Sequence, residues 1–215
     1  MKERVIGVLL CSVAAGMSHA QTQPDGNPPN SNERAAAIQR AFNPTARIDE
    51  YKTRIDFDRK FAADDGRTIV AFDWSTLATA QILGLRTLKI EHAEQHVNET
   101  GPLKTIREYV FNGDFDGARV SITIAQGHDR FAAADYFFHE TTSSSTVRVP
   151  FETDPDGLGS VLVRSVGGSP GRGFVWIYRN LCFVVSGASA DAARDLGQRL
   201  QALAEAHTVN ADGTS

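Results

Sequence analysis

Residues Ala118, Val120, Ile122 and Ile124 are apolar, and Arg119, Ser121 and Thr123 stand between them. Strict alternation at a period of two puts one set on each side of a pleated strand, with one side buried and the other wet. A second block, Phe174 to Val185, is apolar throughout except for Arg179-Asn180 at its centre. It reads as two strands joined by a tight turn. Thr105 to Phe111, Gly159 to Val166 and Arg67 to Phe72 add further strands, and the turn-rich run Asn112 to Gly117 suits a hairpin between the first of these and Ala118.

Helical periodicity marks three other segments. Ser189 caps a helix in which Asp191 favours the positive end and Leu196, Leu200 and Leu203 repeat at helical spacing. Asp129 caps a second, running to His139, with Phe131, Ala134 and Phe138 on one face. Asn32 caps a short Ala-rich helix over Glu33 to Phe42, ended by Asn43-Pro44. Residues 75–97 fit both a helical face (Leu85, Leu88, His92, His96) and one side of a strand (Leu88, Ile90, His92), and periodicity does not separate the two. The order helix, strands, helix, strands, helix predicts an α+β fold: an antiparallel or mixed sheet with helices packed mainly on one face.

The start of the chain bears on compartment. Lys2 and Arg4 precede an apolar run, Val5 to Val13, that is too short to cross a bilayer, which needs about 20 apolar residues. Ser18-His19-Ala20 then has small residues two places apart, as a signal peptidase requires. The expectation is a signal peptide over 1–20, cleavage after Ala20 and a periplasmic or secreted protein. Cys11 lies inside the apolar run after Leu10, which disfavours a lipid anchor there. Residues 21–32, rich in Pro, Asn and Gln, read as a disordered linker, 33–209 as a single domain and 210–215 as a polar tail. No later stretch reaches transmembrane length.

Of 22 basic and 26 acidic residues, cleavage removes Lys2, Arg4 and Glu3, leaving 20 against 25 and a net charge of −5 in place of −4. That balance argues against a nucleic-acid partner, which needs a basic face to displace counterions. Cleavage also leaves Cys182 as the one thiol, so the mature domain is held by its core and not by an internal disulfide. Its apolar neighbours predict a buried, inert sulfur.

Candidate chemistry is sparse. His92 and His96, four apart, would share a helical face and could share a metal, the weak candidates for such a site. The zinc-protease pattern needs Glu directly after the first His, where this chain has Ala93. On a strand the two imidazoles would stand about 13 Å apart, too far for one ion. Asn112, Asp114, Asp116 and Gly117, and likewise Glu152, Asp154, Asp156 and Gly157, imitate the opening of a calcium loop, but Thr123 and Val163 occupy the places of its bidentate Glu. Gly167 to Gly173 leads into a strand and not a phosphate-binding helix, which makes it a hairpin loop. Thr141 to Thr146 reads as a loop, His128, His139 and His207 lie at helix ends, and Trp74, Trp176, Tyr136 and Tyr178 are expected in the core. The sequence therefore points to an exported domain without a cofactor, binding a small molecule or a protein partner. The alternative is a metal-assisted enzyme using His92 and His96.

Overall fold

A computed structural model of the chain describes residues 44–78, 88–92, 106–115, 117–142, 151–153, 157–165, 173–187 and 189–211, all within the unit Arg40–Ser215. Helices α1 (Pro44–Arg54) and α2 (Phe57–Ala62) come first, followed by strand β1 (Thr68–Val70) and a 3-10 turn at Trp74–Ala78. Then come β2 (Leu88–His92), β3 (Arg107–Phe115), β4 (Ala118–Gln126), α3 (Arg130–Thr142), β5 (Phe151–Thr153) and β6 (Val161–Ser165). The chain ends with β7 (Phe174–Tyr178), β8 (Leu181–Ser186), α4 (Ala190–Ala206) and β9 (Thr208–Asn210).

Seven strands form one sheet in the order β2-β3-β4-β8-β7-β6-β5, antiparallel throughout. Two meanders, β2-β3-β4 and β5-β6-β7-β8, meet where β4 pairs with β8, and α3 carries the chain from β4 to β5 at the far edge. β1 and β9 form a separate two-stranded ribbon. The fold is α+β, as the order of elements predicts.

The alternation of side chains decides what covers each face. Val120, Ile122 and Ile124 of β4, Phe174 and Trp176 of β7, and Leu181, Phe183 and Val185 of β8 share a core with Leu196, Leu200 and Ala204 of α4. Val175, Ile177, Cys182 and Ala125 point the other way, into a core with Tyr51, Ile55, Phe57, Phe61, Tyr136 and Phe137 from α1, α2 and α3. Three helices thus share one face, and the longest covers the other. Strands β7 and β8 are buried on both sides, which explains why their sequence is continuous apolar residue and not alternation. Each large side chain so buried contributes about 1.5–3 kcal/mol. Trp176, stacked on Phe183 with centroids 4.7 Å apart, also donates its indole N–H to Gln201 Oε1 at 3.2 Å.

The caps expected at Ser189 and Asp129 are made. Ser189 Oγ accepts from Ala192 N at 3.2 Å and Asp129 Oδ1 from Ala132 N at 2.8 Å. Pro44 opens α1, as suits a residue whose missing N–H is not needed in a first helical turn. Other expectations are corrected. The run Asn112 to Phe115 continues β3, with Phe115 opposite Ala118, and Gly117, just before β4, takes φ 75°. Helix α3 includes Thr141 and Thr142, whose hydroxyls donate back to the carbonyls of Phe137 and Phe138. Its buried side is Ala132 to Ala134 and Tyr136 to Phe138, while Phe131 is 59% exposed at the first turn, its ring edge-on to Phe61. Within 75–97, Trp74–Ala78 is a 3-10 turn and Leu88–His92 is a strand. Asn210, the first residue of the expected tail, is the last of β9. Residues 1–43, with the leader, the linker and the Glu33 to Phe42 helix, lie outside the described residues.

Candidate functional site

The two polar residues inside the apolar β7–β8 block make the turn between its strands. Arg179 adopts φ 53°, unusual for a residue with a Cβ, and its guanidinium bonds the carboxylate of Asp64, which is itself buried. Asn180 is 3% exposed and fully engaged. Its Oδ1 accepts from Val70 N at 2.7 Å, and its Nδ2 donates to Gly127 O at 2.9 Å and Val70 O at 3.3 Å. Gly127 N in turn donates to the backbone carbonyl of Asn180 at 2.8 Å. Gln126 Nε2 adds a bond to Val70 O at 3.0 Å. Two side-chain amides thereby take the place of a neighbouring strand for the Val70 peptide and hold the β1–β9 ribbon against the end of the sheet.

The ribbon continues past β1, with Ala71 N bonded to His207 O at 3.1 Å. Residues Ile69 to Asp73 form one wall of an open cleft of about 520 Å³, and Arg107, Tyr109, Gln126, Gly127, His128 and Asn180 line the rest. The sheet register explains the convergence. Arg107 begins β3 directly opposite Gln126, the last residue of β4, and Tyr109 lies two residues further along the same face. Arg107 is exposed, whereas Tyr109 belongs to the core beneath α4. Asp73 caps the 3-10 turn, its Oδ1 accepting from Ser75 N at 3.1 Å and Ser75 Oγ at 2.6 Å. Those bonds, followed by the charge of Arg107, hold its carboxyl below the usual range. His128 Nε2 is 3.3 Å from Asp129 Oδ2. A cation, an imidazole, an amide and a phenol ring thus meet at the edge of an apolar floor, a composition suited to holding and orienting a small molecule.

A second polar cluster lies under α3. Tyr136 donates its hydroxyl to Glu108 Oε1, and burial followed by that bond raises its pKa. Burial, and then the charge of Glu108, also raises Glu140. Cys182 is fully buried beside them, its thiol pushed well up by the apolar surroundings and therefore inert, as expected.

Of the residues singled out from sequence, His128 lines the cleft and Tyr136, His139 and Cys182 lie at the second cluster, while the others gather at neither place. His92 ends β2 opposite Val110 in a strand and not on a helix, and His96 lies outside the described residues. Among the described residues no three His, Cys, Asp or Glu side chains are grouped to hold a metal ion. Asn112 and Asp114 are ladder residues paired with Ser121 and Arg119, which removes the first calcium loop. Glu152 is in β5, and Asp154 and Asp156 lie outside the described residues. Gly173 closes the β6–β7 hairpin through Ser165. Trp74, Trp176 and Tyr136 are core, and Tyr178 bonds Thr208 at 3.2 Å. His139 packs on Tyr136, and His207 contacts Leu203 O through Nδ1 at the end of α4. No protein family, curated protein or solved structure matches the chain. Arg107 and Gln126 carried no sequence signal, and Asn180 showed only as half of a polar pair interrupting an apolar block.

Proposed function

We propose that the chain is an exported, non-enzymatic binding domain that holds a small molecule in the cleft between Ile69–Asp73 and the Arg107 end of the sheet. The observation that carries this is the convergence of Arg107, Gln126 and Tyr109 on one face, opposite a wall fixed by buried amide bonds. Such a wall keeps the cleft open without a ligand and reduces the ordering cost of binding. A small ligand is favoured over a protein partner because the large apolar side chains exposed among the described residues are Phe131 and Val209, on separate elements and not in a continuous patch. Export rests on the three-part leader at residues 1–20. No helix among the described residues is long and apolar enough to cross a membrane.

Two measurements test the two halves of the proposal. Mass spectrometry of the protein recovered from a bacterial host should show a chain beginning at Gln21; an intact Met1 terminus in the exported fraction would refute the leader. A fragment screen followed by amide chemical-shift mapping should concentrate its hits at Val70, Gly127 and His128. Hits spread over the surface, or gathered on another face, would overturn the assignment of the cleft.

A further inference from the structure

We infer that the cleft takes a small organic anion with an apolar body, its carboxylate or phosphate group facing Arg107. This rests on the binding reading above and adds the class of ligand. The lining is graded: Arg107 is exposed at one end of the β3–β4 pair, and Tyr109, two residues inward on the same face, is 4% exposed. Ile69 and Val70 face them from the ribbon. A molecule with its charge at the rim and its apolar part on the floor matches that gradient.

The sign of the charge follows from how the nearby carboxylates are used. Asp73 already accepts two bonds from Ser75 in the turn that it caps. Asp129, beside His128, caps α3 through Ala132 N. A cationic ligand would meet carboxylates whose Oδ1 atoms are already engaged by those caps. An anion instead meets a guanidinium with five N–H donors in a planar fork, enough to give a bidentate pair while also bonding elsewhere.

The test uses four probes of one shape: benzoate, phenyl phosphate, benzamide and benzamidine. Each is titrated into the 15N-labelled protein as the cell produces it, and the amides of Val70, Gly127 and His128 are followed. One of the two anions should bind at least about tenfold more tightly than benzamide and benzamidine, a difference of about 1.4 kcal/mol. Whichever anion is tighter identifies the head group. Arg107→Gln should bring its Kd to that of benzamide, with the rest of the spectrum unchanged, and Arg107→Lys should fall between. Equal or tighter binding of benzamide or benzamidine at the same amides would overturn the anion assignment and leave the binding cleft standing. No shift of those amides by any probe at about 10 mM, where even mM affinity registers, would remove both.

Discussion

Replacing Asn180 by Ala unties the β1–β9 ribbon from the sheet at one peptide. The side chain makes three bonds, at 2.7, 2.9 and 3.3 Å, all of them buried. Val70 O keeps its bond from Gln126 at 3.0 Å, so the loss falls mainly on Val70 N–H and Gly127 O. A buried donor left unpaired costs about 1–3 kcal/mol, and each ordinary bond contributes about 1 kcal/mol net. The sum is about 3 kcal/mol, a sizeable part of the 5–15 kcal/mol by which domains are typically stable.

Trp74 and Trp176 are both fully buried, which makes tryptophan fluorescence a direct reporter in a urea titration. At a slope of about 2 kcal/mol per M, the midpoint should fall by about 1.5 M, and Tm by about 6–12 °C. Gln126→Ala should cost only about 1 kcal/mol, because Val70 O keeps Asn180. The double variant strips that carbonyl of both partners and should exceed the sum of the singles by about 0.5 kcal/mol or more. A midpoint shift below about 0.5 M for Asn180→Ala, at unchanged slope, would refute the claim that the amide fastens the ribbon.

Two further substitutions test other parts of the fold. Gly159 has φ 59°, and a Cβ there would lie 1.9 Å from the carbonyl oxygen of Ile177, so Gly159→Ala should cost about 3–5 kcal/mol or prevent folding; a loss below about 1 kcal/mol in the same titration would show that the turn relaxes freely. Glu140 holds its proton to higher pH in the folded protein than in the unfolded chain, because burial and then Glu108 disfavour its charge. Its contribution to stability therefore falls as pH rises from the unfolded carboxyl value of about 4.3 through the raised folded one. Glu140→Gln should raise Tm at pH 7 and lose that advantage toward pH 4, and an advantage equal at both values would refute the assignment.

What was legible in the sequence was whatever a local pattern determines. The alternation of β4, the split apolar block of β7 and β8, and the caps Asp129 and Ser189 each depend on neighbours within a few residues, and each stands in the structure. The failures occur where two local signals compete or where the deciding partner is distant. Asn112-Gly113-Asp114 carries turn chemistry as strong as that of Asp116-Gly117, and only the pairing of Phe115 with Ala118 selects the second. Phe131 has the right spacing to join Phe138, yet it stays 59% exposed against Phe61 of α2 while Ala132 and Ala133 take the buried positions. The helix reading of His92 competed with a strand reading, and pairing with β3 decided it. The cleft was out of reach for a stronger reason: its lining comes from residues 69–73, 107 and 109, 126–128 and 180, and part of its definition is backbone.

The polar pair at the β7–β8 turn connects the two problems. A hairpin alone would be served by Gly or Asn with no side-chain function. Here each residue of the turn reaches the same preceding segment at a different end: Arg179 bonds Asp64, which also accepts from Gly66 N at 3.0 Å, and Asn180 bonds Val70. The stretch 64–70 is thus clamped at both ends by adjacent residues of one tight turn, and the cleft wall at Ile69–Asp73 is an extension of the clamped segment. A polar interruption in an otherwise apolar strand pair costs core volume. It is explained here by fixing the position of a wall that the sheet's own ladder does not reach, so that stability of the ribbon and geometry of the cleft depend on the same few hydrogen bonds.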